Sequence, residues 1–433
     1  MNGQVPKRIS TAILHSVGAG VVPRIGLESI AVGRKQEVEI ILRDLEAVSE
    51  GASVFRLVSG EYGSGKSFLL QMIRNYAMDK NFIVADVDLS PEKRLTGSRH
   101  QGMATYRELT QRLSTKVRPE GGALEAILQK WINEVRRRVI RQTGLAPDAK
   151  ELGPLMEREI LQTSAKLEDY AHGYDFGLML ALYYRSFVNE DAQLRQGTVK
   201  WFRGEYATKT EAKAILPVGE IITDENWYAY IKLLAVFATQ LGYEGLVLFV
   251  DECANLAGIA NRHSRENNYE KLLTIFNDTM QGRTAHLGAY FAGTPRFIED
   301  EQKGLFSYAA LKSRLMDNRF VRDGYLDFSS PIIRLNSLTY EELYILMERL
   351  TEIHAAHYGY QAHITKKQIL SFMEIVFHSS HMKAVTTREI TRDYIGLLNI
   401  LLHNPNTSFE SMIYTEDFNP AMLHPIENAQ EPL

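Results

Sequence analysis

The chain has 433 residues, a formal net charge of -4, 45% hydrophobic and 24% charged residues, and one cysteine, Cys253. A single cysteine rules out a disulfide framework and any cysteine-based zinc site and fits a reducing compartment, while the slightly acidic balance rules out a globally basic nucleic-acid binder. No apolar run nears the roughly 18 residues of a membrane span and the N-terminus lacks a signal-peptide core, so a cytoplasmic protein of two or three domains is expected.

Near the N-terminus, Ile30-Ala31-Val32-Gly33-Arg34 leads into a predicted helix Gln36–Ala47. Its apolar residues either cover an adenine face or simply pack the helix. A buried strand is predicted at Val54–Ser59, then Gly-Glu-Tyr-Gly-Ser-Gly-Lys-Ser at residues 60–67, then apolar residues in helical spacing over Phe68–Ile73. Strand, G-x-x-x-x-G-K-[ST] loop and helix together form a phosphate-binding (Walker A) loop. Gly60, Gly63 and Gly65 let the backbone aim its N–H groups, with those of Glu61, Tyr62, Ser64 and Phe68, at a polyphosphate, and the new helix adds its positive end. Lys66 supplies a cation to the β/γ-phosphates of ATP and the Ser67 hydroxyl a ligand for Mg²⁺.

Further strands are predicted at Phe82–Val87, Leu246–Val250, Leu287–Ala292 and Ile332–Leu335. Short apolar strands alternating with helical sequence indicate an α/β fold with a parallel sheet, whose ligands bind at the carboxyl ends of the strands. The stretch from the loop to the acidic strand end is well beyond what two βαβ units require. It contains a mostly helical insertion between Ser90 and Gly242, with periodic segments at Thr105–Leu113, Ala123–Thr143, Leu155–Ala171, Gly177–Phe187 and Asn226–Gln240. After Asn336 the pattern is helical again, at Tyr340–His357, Lys366–Phe377 and Thr387–His403, as for a lid over the nucleotide. The expected organisation is therefore a first part of the core at 1–90, the insertion at 91–241, the rest of the core at 242–336, the lid at 337–403 and a peripheral tail at 404–433.

Asp251-Glu252 follows four apolar residues in a Walker B pattern, placing Asp251 to hold Mg²⁺ and Glu252 to polarise the attacking water. Thr294, before Pro295, is either a γ-phosphate sensor or a turn former. Arg314, in Ala310-Leu311-Lys312-Ser313-Arg314-Leu315, is either an arginine finger for a neighbouring subunit or a surface residue, with Arg319 its rival. Arg388 opens a helix behind a capping-box spacing, where acids are preferred, and is read as a lid arginine directed at the phosphates.

These residues resemble an AAA+ ATPase of the initiator-like branch, near the Orc/Cdc6 type. The resemblance rests on Val32-Gly33-Arg34, Walker A, Walker B, Ser313-Arg314 and Arg388. More narrowly the chain resembles the ATP-binding proteins of bacterial BREX phage-defence systems, the BrxC/BrxD group, and by size its BrxD branch. That likeness is carried by Tyr106-Arg107-Glu108-Leu109, Arg118-Pro119-Glu120-Gly121-Gly122-Ala123-Leu124, Trp201-Phe202-Arg203-Gly204-Glu205-Tyr206, Asn226-Trp227-Tyr228 and Thr387-Arg388-Glu389-Ile390-Thr391-Arg392-Asp393-Tyr394. Two departures stand out: Thr294 replaces the usual Asn sensor, and the residues after His403 are too few for the winged-helix domain of the Orc/Cdc6 type.

The resemblance implies an ATP-hydrolysing switch or motor in anti-phage defence. It would work as a homo-oligomer, with partners of helicase or methyltransferase type and on DNA. The alternative is a slowly hydrolysing regulator that scaffolds a helicase, methyltransferase or nuclease. For DNA, the insertion offers Lys130-Trp131, Arg136-Arg137-Arg138, Arg141, Lys200-Trp201-Phe202-Arg203, Lys209 and Lys213, basic residues interleaved with aromatics. The same arginines also describe a solvated helix face, and Arg203-Gly204-Glu205 a structural link back onto the sheet.

Overall fold

The five apolar runs form β1 (Ser53–Gly60), β2 (Ile83–Asp88), β3 (Leu246–Asp251), β4 (Leu287–Gly293) and β5 (Ile332–Leu335). The computed structural model describes residues 5–165, 167, 170–316, 327, 329–361, 364–379 and 385–413. The strands make one sheet in the order β2-β3-β4-β1-β5, with β2–β3, β3–β4 and β4–β1 parallel. β4 is buried throughout, as expected of a parallel strand covered on both faces. β2, β3 and β4 each run one residue past the predicted apolar run, because the pairing continues until Asp88 sits opposite Asp251 and Gly293 opposite Ser59. The sheet and its many helices make the α/β fold consistent with a P-loop NTPase.

The chain divides into two compact units. The larger comprises Ile40–Ser59 and Arg74–Ile333 and holds most of the sheet. Its stretch between β2 and β3 contains the helices Gln101–Gln111, Leu124–Thr143, Leu152–Ala165, Gly173–Val188, Ala192–Phe202, Lys209–Lys213 and Trp227–Gln240. Ala192–Phe202 and Lys209–Lys213 were not expected from apolar spacing. Their starts are nonetheless marked by Asp191 and Thr208, whose side chains accept from Leu194 N at 2.9 Å and Glu211 N at 3.2 Å. One core runs through these helices and the sheet, from Trp131, Trp201 and Trp227 to Phe55 and Leu248.

That core corrects one expectation. Trp131, Trp201 and Phe202 are no more than 2% exposed, so they are packing residues and cannot stack on bases. Apolar burial wins because each ring removes a large surface from water. The link at Gly204 also differs from expectation. Its carbonyl accepts from Arg107 Nε at 2.7 Å, and Tyr106 donates to Phe202 O at 2.9 Å, so this turn docks on Gln101–Gln111 rather than on the sheet. At Gly204, φ is +65° and a Cβ would lie 2.5 Å from Met103 Cε, which requires glycine.

The smaller unit comprises residues 1–39, 60–73 and 334–433. Its helices include Lys7–Gly18, Tyr340–Tyr358, Lys366–Ser379, Thr387–His403 and Phe409–Ile413. They share a second core around Ile13, Met347, Phe372 and Tyr394, with Phe68 packed against it. Thr339–Glu342 and Thr386–Glu389 form reciprocal capping boxes that fix where two of these helices begin. Phe409 and Ile413 are buried in this core, so the segment up to residue 413 is not a peripheral tail. Two apolar side chains one turn apart suffice to dock so short a helix. Residues 414–433 lie outside the described residues.

Candidate functional site

In the smaller unit the Gly60–Ser67 loop leads into the helix Lys66–Asp79. Gly63 and Gly65 have φ of +77° and +95°, values that exclude ordinary side chains. A Cβ on Gly60 would lie 2.4 Å from Ser64 Oγ, and one on Gly63 would lie 2.4 Å from Thr386 Cβ. The backbone is thus bare on its turns and presses against the start of Thr387–His403. Ser64 Oγ is buried and, among the described residues, has no hydrogen-bond partner. A bare loop with an orphaned hydroxyl at a helix start fits a polyphosphate, which would bring the acceptors this loop needs.

Lys66 Nζ donates to the carbonyls of Gly60 at 2.7 Å and Glu61 at 2.9 Å, drawing both ends of the loop together. Tyr62 is 69% exposed, with the Lys66 ammonium 5.5 Å from its ring centre. Beneath the loop Arg34 donates from Nη2 to Ser64 O at 2.6 Å and to Asn336 O at 2.9 Å. The sequence flagged Arg34 within a family motif but not as a support for the loop; its place after Gly33, with φ of +67°, was the available signal. Ile30, a candidate adenine cover, is buried in the smaller unit's core. Arg388 sits in the first turn of its helix, its side chain running 3.7 Å from where a Cβ of Gly20 would be.

In the larger unit Asp251 ends β3 and Glu252 follows it at φ +56°. A non-glycine residue in the left-handed region is uncommon and costs about 1 kcal/mol or more. The Glu252 N–H donates to Asp251 Oδ1 at 2.8 Å, and Cys253 N–H donates to Ala292 O on β4 at 3.0 Å. These bonds hold the bend on both sides. Cys253 itself is buried, and burial first, then the nearby Asp251 charge, pushes its thiol well up, so it is not a nucleophile.

Thr294 caps the helix Pro295–Glu299, its hydroxyl oxygen accepting from Phe297 N at 3.2 Å. The turn-forming role is therefore present, and the hydroxyl proton can still be donated elsewhere. Arg314 lies in the last turn of Ala309–Leu315 and donates to Asn277 Oδ1 at 3.0 Å and Ala310 O at 2.8 Å. Arg319 lies outside the described residues. Arg136, Arg137 and Arg138 bond Pro147 O, Glu134 and Glu159, partners that periodicity could not reveal. Among the described residues no helix is long and apolar enough to cross a membrane.

The family described as BREX system ATP-binding protein BrxC/D matches residues 5–417. The chain belongs to this BrxC/BrxD family. Membership carries an ATP-binding role in a BREX phage-defence system, and it spans both units, including the loop at 60–67 and the Asp251-Glu252 pair. No curated protein matched the chain in a direct search. The BrxC/D assignment fits the residues just described, since an ATP-binding family requires a phosphate-binding element and the loop at 60–67 has the spacing and bare backbone of one.

Proposed function

We propose that this BrxC/D-family protein is an AAA+ ATPase that hydrolyses ATP as a switch or motor, acting on DNA with partner proteins of helicase or methyltransferase type. In this reading Gly60–Phe68 and Arg388 hold the nucleotide, Ser67 and Asp251 are the ligands for Mg²⁺, and Glu252 takes the proton of the attacking water. Bound Mg²⁺ would supply neutralisation of phosphate charge. Lys66 steadies the developing negative charge, Thr294 donates toward the γ-phosphate, and Arg314 completes the site of the next subunit in a homo-oligomer. The organisation of a core at 1–90 and 242–336, an insertion at 91–241 and a lid at 337–403 belongs to the same proposal.

The observation that carries it is Glu252, held in a strained left-handed bend at the carboxyl end of β3 beside Asp251. Strain of this kind is kept where a side chain must be aimed. Steady-state ATP turnover of Glu252→Gln tests it: turnover falls at least about 100-fold while ATP still binds. Wild-type turnover in that variant would remove Glu252 as the base.

A second reading, a slow regulator that scaffolds other enzymes, is favoured by Arg314 being docked on Asn277 of its own chain. Turnover of the isolated protein would then be low and would rise with a partner rather than with DNA.

A further inference from the structure

Within the larger unit, the helices Leu124–Thr143 and Ala192–Phe202 contribute the walls of a groove of about 1020 Å³, lined also by Tyr183 and Phe187. Six cations line it (Arg118, Lys130, Arg137, Arg195, Lys200 and Arg203) against three carboxylates, and Glu211 just outside the lining pairs with Lys200, which leaves a local excess of two positive charges. The chain as a whole carries -4, so this groove reverses the sign of the molecule. Its carboxylates are partly neutralised in place: Glu125 accepts from Arg203 at 2.9 Å, joining the two helices, and Glu134 accepts from Arg137 at 2.7 Å. Arg195 lies on the Phe187 ring, its guanidinium carbon 4.9 Å from the ring centre. Gln129, Asn133 and Gln196 add amide donors and acceptors to the same walls.

We propose that this groove binds single-stranded nucleic acid. Arg118, Arg137 and Lys200 meet phosphates, the Arg195 guanidinium backed by Phe187 offers a plane for a base, and the amides meet base edges. A duplex presents a convex phosphate surface with its bases turned inward, so it would leave the plane and the amides of a concave groove unused. An acidic peptide would satisfy the cations but not the stacking plane. The groove deepens the reading that the protein acts on DNA and rests on it; the signal lies in Arg195 and the amides, not in the buried Trp131 and Trp201.

Fluorescence anisotropy of the full chain with a short labelled single-stranded oligonucleotide of mixed sequence tests the proposal, with unlabelled duplex, mononucleotide and polyglutamate as competitors. Wild-type protein binds the single strand, and only unlabelled single strand competes well. Arg137→Ala lowers the slope of log affinity against log salt by roughly 0.7. Arg195→Lys keeps that slope, because the charge remains, but weakens binding about tenfold through loss of the plane. Thermal melting of each variant reports folding, and binding of a fluorescent ATP analogue reports on the phosphate loop separately. Single-strand binding that neither variant alters would place the nucleic acid elsewhere, overturning the groove while leaving action on DNA intact. Absence of any nucleic-acid binding would overturn both. Preferential displacement by polyglutamate would make the groove a peptide site, and displacement by mononucleotide alone would make it a free-nucleotide site.

Discussion

Arg34 Nη2 donates to the main-chain carbonyl of Ser64 at 2.6 Å, from a side chain that is only 8% exposed. The same nitrogen reaches Asn336 O at 2.9 Å, and Nη1 meets Glu37 at 3.4 Å. The phosphate loop is therefore supported from below by one rigid, planar cation.

Arg34→Ala strips a donor from the carbonyls of Ser64 and Asn336, bonds of a kind that contribute about 1.5–3 kcal/mol each. Equilibrium binding should show ATP affinity falling about tenfold or more. Arg34→Lys, a point cation without the planar fork, should recover only part of it. Unchanged affinity in both variants would mean the loop holds its shape without Arg34.

Gly63→Ala places a methyl 2.4 Å from Thr386 Cβ at φ +77°. Strain and clash together should cost about 1–3 kcal/mol and abolish ATP binding. Gly396→Ala, in the helix Thr387–His403 with nothing within 4 Å of the new Cβ, should instead stabilise by about 1 kcal/mol. Denaturant unfolding distinguishes the two, and equal effects would contradict the contact at Thr386.

Arg314→Ala should reduce concentration-dependent ATP turnover by about 10³-fold with ATP binding retained, if Arg314 serves a neighbouring subunit. Asn277→Ala removes one of that guanidinium's two acceptors, leaving Ala310 O, and should raise turnover at a given concentration. Mass measurements with and without ATP accompany the assay. A turnover that is independent of protein concentration in both variants would remove the role in trans.

His354 is 0% exposed, with Nδ1 2.8 Å from the Tyr360 hydroxyl and Nε2 3.1 Å from Asn399 Oδ1, a neutral ring satisfied on both sides. Burial above all lowers its pKa below the ordinary 6.5, with His357 and His403 adding and the Asn399 bond opposing. The unfolded chain then takes up a proton first, so this stabilisation is complete above pH 6.5 and is lost as pH falls below it. The slope is at most about 1.4 kcal/mol per pH unit, and His354→Gln should flatten it in urea titrations across that window.

Much of the fold was legible because the signals were local. β5 and the helix Thr387–His403 start and stop where apolar spacing and capping residues put them. The phosphate loop was legible because glycine positions encode backbone geometry directly. Other features carry no local signature. Periodicity marks Trp201 and Arg203 equally as residues near charge, yet one is 1% exposed and the other pairs with Glu125. The helices Ala192–Phe202 and Lys209–Lys213 went unseen because their apolar faces are short, although Asp191 and Thr208 announced their starts.

By itself the sequence determined the glycine-bearing loop at 60–67, the Asp251-Glu252 strand end and the parallel α/β sheet, since each is written in consecutive residues whose backbone preferences suffice. Only the tertiary structure decided that Arg34 supports Ser64, that Thr386 closes on Gly63, that Arg314 rests on Asn277, and that six cations gather around one groove. Those relations join residues far apart in the chain. Packing and hydrogen-bond satisfaction set them, and neither is a property of any short segment.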